Sequence, residues 1–378
     1  MIGPRTEHPP VKVAIIGTGR RSGYLYGPLL QALDDTELVA VWGRSADSAA
    51  ALGARLGVPA YTDLERLLRE TAAEVGVVSV NYAGNGQVGR LALEHGLHVL
   101  VETPIAHQLS EADAIIKAAR RRGLKVEVAE QFHRRPLEQA KLALIGSGLM
   151  GRVHTSFNDF AGHGYHGVSV MRSYLGFDCR PQQVTGAVRR FPLQTGGTET
   201  QEHGIVEFEG GGLGIFHWSS VAYGNPLRWW RSSRFLAERG MGISVGVGLD
   251  LEERLSLLAP GDGAPQFLTV QRHWERVDGG ALTAIEIHTG QPEQPVIRWS
   301  NPFAPQLQGD GRQWHDDEIG VAGCIASLVR AVREDAAPSY GAQQGRLDQE
   351  LICALRKSAA AGGTKVPLPL DPDEVIPA

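Results

Sequence analysis

Two histidines bracket a tyrosine in His163-Gly-Tyr165-His166, and further glycines at 162 and 167 flank the run. Imidazole titrates near neutral pH, so it takes and returns a proton without help from its neighbours. Glycine lets the backbone bring such groups close to a bound molecule at low steric cost. On this reading His166 is the candidate acid–base, with His163 and Tyr165 orienting or relaying. A second set suits an anion. Gly17-Thr18-Gly19-Arg20-Arg21-Ser22-Gly23 follows an apolar run and precedes a helical pattern through Leu29, Leu30 and Leu33. In a strand–turn–helix unit the first glycine permits the tight turn, and the second lets a pyrophosphate approach the backbone. The third place needs a small residue for helix–strand packing, here Ser22, and the helix start offers amide donors. Gly17, Thr18, Gly19, Arg20, Arg21 and Ser22 are the expected cradle of a dinucleotide.

The end of the next strand reads the adenosine ribose, with an acid for a free 2′-hydroxyl and a base for a 2′-phosphate. It ends here in Trp42-Gly43-Arg44-Ser45, and Asp47 comes two places late. Arg44 and Ser45 suit a phosphate, so the expected cofactor is NAD(P), with NADP favoured over NAD. In Glu130-Gln-Phe-His-Arg-Arg-Pro136, Gln131 is a candidate contact to the cofactor carboxamide or ribose. His133 and Arg135 are candidates for substrate. Arg228-Trp229-Trp230-Arg231, with Arg234 beyond, forms a further cluster. Its tryptophans suit the C–H face of a sugar and its arginines a carboxylate, phosphate or sulfonate. Arg228, Trp230 and Arg231 are therefore candidate substrate residues, and the same cluster serves equally well as a packing or interface patch.

Elements must hold these groups. Apolar, β-branched runs at Val11–Gly17, Glu37–Trp42, Val75–Val80, His98–Val101 and Leu124–Ala129 alternate with helical patterns at 47–56, 64–68, 89–95 and 111–122. Strand and helix in alternation with short links imply a doubly wound parallel sheet. Beyond Pro136 the rhythm changes. A helix at 137–145 is followed by strand-like runs at 153–159, 183–191, 204–208, 213–218, 242–247, 267–271 and 283–287, with a glycine turn at 209–212. Helices at 319–333 and 346–361 close the chain. The expected fold class is an α/β Rossmann dinucleotide-binding domain over 1–132. An α+β substrate and oligomerisation domain over 133–378 would carry a large, mostly antiparallel open sheet. The stretch 291–312 is the expected mobile loop.

Composition excludes several classes. A net charge of −5 over 378 residues gives no basic face for nucleic acid or an anionic membrane. Three cysteines form no CxxC, and thirteen histidines no HExxH, so no metal is expected. No run of ~18 apolar residues reads as a membrane span. The polar, proline-bearing start does not read as a signal peptide, so the expected location is cytoplasmic.

Taken together, several motifs resemble the glucose–fructose oxidoreductase/inositol dehydrogenase family (Gfo/Idh/MocA). They are Gly17–Gly23, Asn81-Tyr-Ala-Gly-Asn85, Gly96-Leu-His-Val-Leu-Val-Glu-Thr-Pro104, Glu130–Pro136, Gly148–Val153, and His163–His166 with Met171-Arg-Ser-Tyr-Leu-Gly176. The resemblance covers nearly the whole chain. It implies that Asn81, Tyr82, Asn85, Glu102, Thr103 and Pro104 line the cofactor, Glu102 near the nicotinamide ribose and Pro104 after a cis bond. It also implies dimers or tetramers that cover the open sheet. By this resemblance the chain would be an atypical member, because Glu102-Thr103-Pro104 replaces Glu-Lys-Pro. The family lysine assists proton transfer, and Thr103 does not titrate near neutral pH. Placing His166 on the family histidine puts Gly162 and Ser169 where its two carboxylates stand.

Three function classes follow. The leading one is NAD(P)-dependent hydride transfer to or from a hydroxyl carbon of a sugar, glycoside or polyol, with histidine taking the hydroxyl proton. The alternative is an NAD-dependent glycoside hydrolase. It would oxidise C3 transiently, eliminate across C1–C2, hydrate and re-reduce, with an anionic glycoside such as a sulfosugar or uronide as one substrate the arginines would suit. The third is a nucleotide-binding sensor that has lost catalysis, against which the His/Tyr loop argues.

Overall fold

The computed structural model describes residues 8–159, 164–221, 232–246, 252–259, 261, 263–275, 280–307 and 312–371. The chain divides into two compact units. The first is Met1–Gln131 with Pro305–Gln308 and Val321–Leu347, and the second is Phe132–Ala304 with Gly309–Gly320 and Asp348–Ala378.

In the first unit, β1 (Val11–Ile16), β2 (Thr36–Trp42), β3 (Ala60–Tyr61), β4 (Val75–Val78), β5 (His98–Val101) and β6 (Val126–Val128) form one sheet in the order β3-β2-β1-β4-β5-β6. Every pairing is parallel. A parallel sheet buries both faces, which is why β1 and β4 are apolar at nearly every position. The strand order reverses between β1 and β4, the switch point at which such sheets open a crevice beyond their carboxyl ends. Ile16 pairs with both Trp42 and Val78 there, so the turn after β1 leaves from the centre of the sheet.

Residues 321–347 belong to this unit, whereas a single cut after 132 assigns them to the other. Buried Glu127 on β6 explains the return. Its carboxylate accepts from Ser327 Oγ at 2.7 Å and the Tyr340 amide at 3.3 Å. Arg333–Asp35 (2.8 Å) and Arg346–Asp113 (2.6 Å) add ion pairs. Nothing in the apolar period of a helix says which sheet it will cover.

The second unit carries β7 (Val153–Asp159), β8 (Pro181–Pro192), β9 (Thr198–Phe208), β10 (Leu213–Ser219), β11 (Ser232–Ala237), β12 (Gly240–Val245), β13 (Glu252–Leu258), β14 (Pro265–Phe267) and β18 (Val366–Pro367). Their order is β14-β13-β12-β11-β7-β10-β9-β8-β18, antiparallel except for β7 with β10. The helix Gly164–Leu175 packs on β7, β10 and β11. Gly214 admits it closely, since a Cβ there would lie 2.5 Å from the Met171 sulfur. Period-2 alternation leaves the other face open, with Ile205, Leu213 and Met241 exposed.

A separate antiparallel sheet joins β15 (Thr269–Trp274), β16 (Leu282–His288) and β17 (Val296–Ser300). This corrects two expectations. The run 267–271 is not one strand: Phe267 ends β14 in the large sheet, and Thr269 starts β15 in the small one. The stretch 291–312 holds a paired strand, Val296–Ser300, and Asn301 ties its end to the Leu282 carbonyl at 2.8 Å. The prolines around it masked a short two-sided strand in the sequence.

Candidate active site

The turn after β1 is shaped by what glycine alone tolerates. Gly17 has φ +124°, and a Cβ there would lie 2.2 Å from the Ser79 carbonyl oxygen. Gly19 is different: its Cβ would meet only that same oxygen, at 3.8 Å, so the space beside this backbone is open. Ser22 is fully buried, as its packing role requires. The helical stretch that follows opens as a wide turn over Ser22–Tyr26, and no side chain caps its first amides. An open glycine beside uncapped amides is a fitting cradle for a pyrophosphate. Thr18 Oγ1 donates to Ser48 Oγ at 3.0 Å, which ties the turn to the next helix.

Glu102, at the end of β5, fastens the same turn. Its carboxylate accepts from Arg21 Nε and, at 2.8 Å, from the Tyr26 hydroxyl, while its second oxygen accepts the Thr103 amide at 3.1 Å. Burial, and then the Glu102 charge, push the Tyr26 phenol well above its ordinary range. Buried Asn85 donates to the carbonyls of Glu102 and Pro104 at 3.0 and 2.9 Å. The Thr103–Pro104 bond is cis. Asn81 accepts the Gly84 amide at 3.0 Å, and Tyr82 is exposed against His107. Ser45 caps the helix Ala46–Leu56, and its neighbour Arg44 is exposed at the end of the turn after β2. Arg20 is exposed beside Tyr24, and Gln131 is buried at the end of this unit.

In the second unit His166 is 7% exposed, in the first turn of the helix Gly164–Leu175. Its ring stacks on Phe132 with centroids 4.1 Å apart and planes at 29°. Tyr165 meets it edge-on at 4.6 Å between ring centroids. Arg135 lies over Phe132 at 3.7 Å from the ring centroid, and its Nη2 donates to Asp317 at 2.9 Å. His133 is buried, edge-on to Phe177 at 5.0 Å. Desolvation first, then the charges of Arg134 and Arg172, hold its imidazole well below the ordinary range, so it is neutral at physiological pH. His163, Arg228, Trp230 and Arg231 lie outside the described residues. Arg234 stacks on Phe157 at 3.8 Å. By strand alternation that pair faces away from the helix bearing His166, because neighbouring Ser233 bonds Lys141 and Tyr174.

Two residues at this site went unread in the sequence. Phe132 stands at i, i+3 from Arg135, a spacing that a 3₁₀ turn converts into contact. Asp316 is buried at the start of the helix Asp316–Arg333, and desolvation raises its carboxyl to about 6 in spite of Arg135 and Arg272 nearby. The acidic pair before an apolar helical run was the available signal. Among the described residues no three His, Cys, Asp or Glu side chains are grouped to hold a metal ion. No described helix is long and apolar enough to cross a membrane.

A parallel sheet with a glycine turn and uncapped amides at its switch point defines the first unit as a dinucleotide-binding fold. Residues 11–130 match the model of the oxidoreductase family with an NAD-binding Rossmann fold (GFO/IDH/MocA). It is 34% identical over 122 residues to an uncharacterized oxidoreductase of Schizosaccharomyces pombe, covering 32% of this chain and 33% of that one. It is 26% identical over 206 residues to D-xylose 1-dehydrogenase (NADP(+)) 2 of Haloferax volcanii, covering 49% and 62%. The chain thus spans less than two thirds of either relative. The crystal structure of an NAD binding oxidoreductase from Klebsiella pneumoniae aligns with a TM-score of 0.74 at 17% identity, covering 96% of this chain and 100% of that one. At that identity the likeness shows the fold.

Proposed function

We propose that this protein is an NAD(P)-dependent oxidoreductase that moves a hydride to or from a hydroxyl-bearing carbon of a sugar, glycoside or polyol. The observation that carries the reading is the open backbone at Gly19 beside uncapped helix amides, in a chain that also presents an ordered histidine at the head of a helix. The match of residues 11–130 to an oxidoreductase family and likeness to a D-xylose dehydrogenase support it. When bound, the nicotinamide supplies the hydride acceptor or donor. His166 takes the hydroxyl proton as hydride leaves the same carbon, and returns it in the reverse direction. Tyr165 orients the imidazole. Thr103 holds a place in the turn and moves no proton. Gly17, Gly19 and Ser22 seat the pyrophosphate, and Arg44 favours a 2′-phosphate. The exposed apolar residues of the large sheet suit a second copy of this chain, which sedimentation would read directly.

The test is mass spectrometry of nucleotide retained on purification. Incubation with NAD+ and NADP+ against aldoses, aryl glycosides and inositols follows. Reduced cofactor accumulating with one of these is the expected result. Release of aglycone with no net reduction would favour the transient-oxidation hydrolase, the reading that the Glu-Thr-Pro departure keeps open. Absence of both, with nucleotide bound, would overturn the catalytic reading.

A further inference from the structure

We propose that Arg135 is a positioning residue that acts on His166 through Phe132, clamping the phenyl ring so that it sets the plane of the imidazole. The inference rests on the acid–base reading of His166.

The clamp begins in local backbone geometry. Phe132–Arg134 form a 3₁₀ turn, and the Arg135 amide donates to the Phe132 carbonyl at 3.2 Å. In such a turn the side chains at i and i+3 eclipse, which lays Arg135 over Phe132. Pro136 then starts the next helix, and the Gln139 amide donates to the Arg135 carbonyl at 2.9 Å, so the backbone of Arg135 is fixed from both sides. The guanidinium lies 3.7 Å from the Phe132 centroid, while the imidazole of His166 lies 4.1 Å from the same point. Two planar groups that close to one centroid must occupy opposite faces of the ring. The order across the stack is therefore guanidinium, phenyl, imidazole, with Tyr165 closing edge-on.

Asp317 completes the device. Its Oδ1 accepts from Arg135 Nη2 at 2.9 Å and keeps the guanidinium from swinging off the ring. Asp317 comes from a segment about 180 residues downstream, so the clamp unites three stretches of the second unit. Ser169 does not hold the imidazole, because its hydroxyl donates to the His166 carbonyl, at 2.9 Å, rather than to the ring. A planar, weakly hydrated guanidinium can lie flat on the phenyl group, whereas a lysine ammonium delivers the charge without the plane.

The experiment compares R135K, F132L and H166A with the wild-type enzyme, on whichever substrate of the sugar panel is turned over fastest. For R135K and F132L the expected result is a loss of kcat of between about tenfold and a hundredfold, the scale of a small misplacement of a catalytic group. The dissociation constant for NAD(P) should stay unchanged, since the glycine turn is untouched. Guanidinium chloride should restore turnover to R135A, and ammonium chloride should not. A readout independent of turnover is the Cε1 proton of His166 in protein carrying ¹³C-labelled histidine, assigned by its loss in H166A. It should leave its ring-current-shifted position in both R135K and F132L. If H166A is inactive while R135K and F132L stay within twofold of wild type, the clamp is wrong and the acid–base reading stands. If H166A keeps wild-type turnover, both fall. An unmoved Cε1 resonance in R135K overturns the clamp whatever the substrate.

Discussion

The glycine turn of the first unit and the histidine stack of the second build function in opposite ways. In the turn the backbone supplies the contacts. Gly17 bends where only glycine can, Gly19 leaves room, and the helix start offers its own amides. In the stack the side chains supply them, and they arrive from residues 132–135, 165–166 and 317. A backbone device is local and survives changes around it. A side-chain device depends on distant segments meeting, so single substitutions there should spare the fold and alter the chemistry.

The largest effect is expected at Gly17. Gly17→Ala puts a Cβ 2.2 Å from the Ser79 carbonyl oxygen at φ +124°. Backbone strain alone there is on the order of 3 kcal/mol, and the clash just beyond the end of β4 adds to it. Low soluble yield or a sharply lowered urea midpoint should result, with cofactor binding lost. Gly19→Ala meets nothing nearer than 3.8 Å. It should keep the wild-type midpoint and weaken only the nucleotide, as measured by fluorescence titration. Equal stability losses in the two variants would show that the turn is not divided into a bending glycine and a yielding one.

That division was legible in the sequence because spacing along one strand–turn–helix carries it. The same holds for β1, β2, β4 and β5, whose short, mostly apolar and β-branched runs between helical patterns read as strands of a parallel sheet. The stack was half legible. His166 and Tyr165 stand out for their chemistry, but Phe132 reads as an ordinary core residue until a 3₁₀ turn sets it against Arg135. Arg135 reads in the sequence as a substrate contact, and its guanidinium is engaged with Phe132 and Asp317. Asp316 and Asp317 are helix-start acids that went unread, and the burial of Asp316 depends on packing that no period reveals. The return of residues 321–347 to the first sheet was hidden for the same reason. Buried Glu127 and the ion pairs of Arg333 and Arg346 fasten it.

A middle-sized effect is expected at Asp316, as a pH dependence of stability. In the unfolded chain this carboxyl loses its proton near ~3.9, whereas in the fold it holds it to about 6. Between those values the folded state binds the proton that the unfolded state has shed, so stability falls as pH rises through that window and then levels off. Roughly two pH units correspond to about 3 kcal/mol, which Asp316→Asn removes. The variant should match wild type near pH 4 and exceed it at pH 7.5, in urea midpoints taken across the range. A constant offset at both pH values would mean that burial of Asp316 does not penalise its charge.

The smallest effect belongs to Arg44, whose side chain is exposed. Its backbone place is already fixed by other means: the Gly43 amide donates to the Tyr61 carbonyl at 3.0 Å, and Ser45 caps the following helix. Arg44→Ala should therefore leave the urea midpoint unchanged. A guanidinium paired with a solvent-facing phosphate gives a charge-assisted bond of about 1.5–3 kcal/mol, less what salt screens at an exposed site. The expected loss is a roughly tenfold weaker NADP(H) complex with NAD(H) little changed, and the gap should narrow as salt is raised. An equal loss for both nucleotides would assign Arg44 to the adenine face common to them. No loss for either would leave the choice between NAD and NADP to the backbone of the turn, the same kind of device proposed to seat the pyrophosphate.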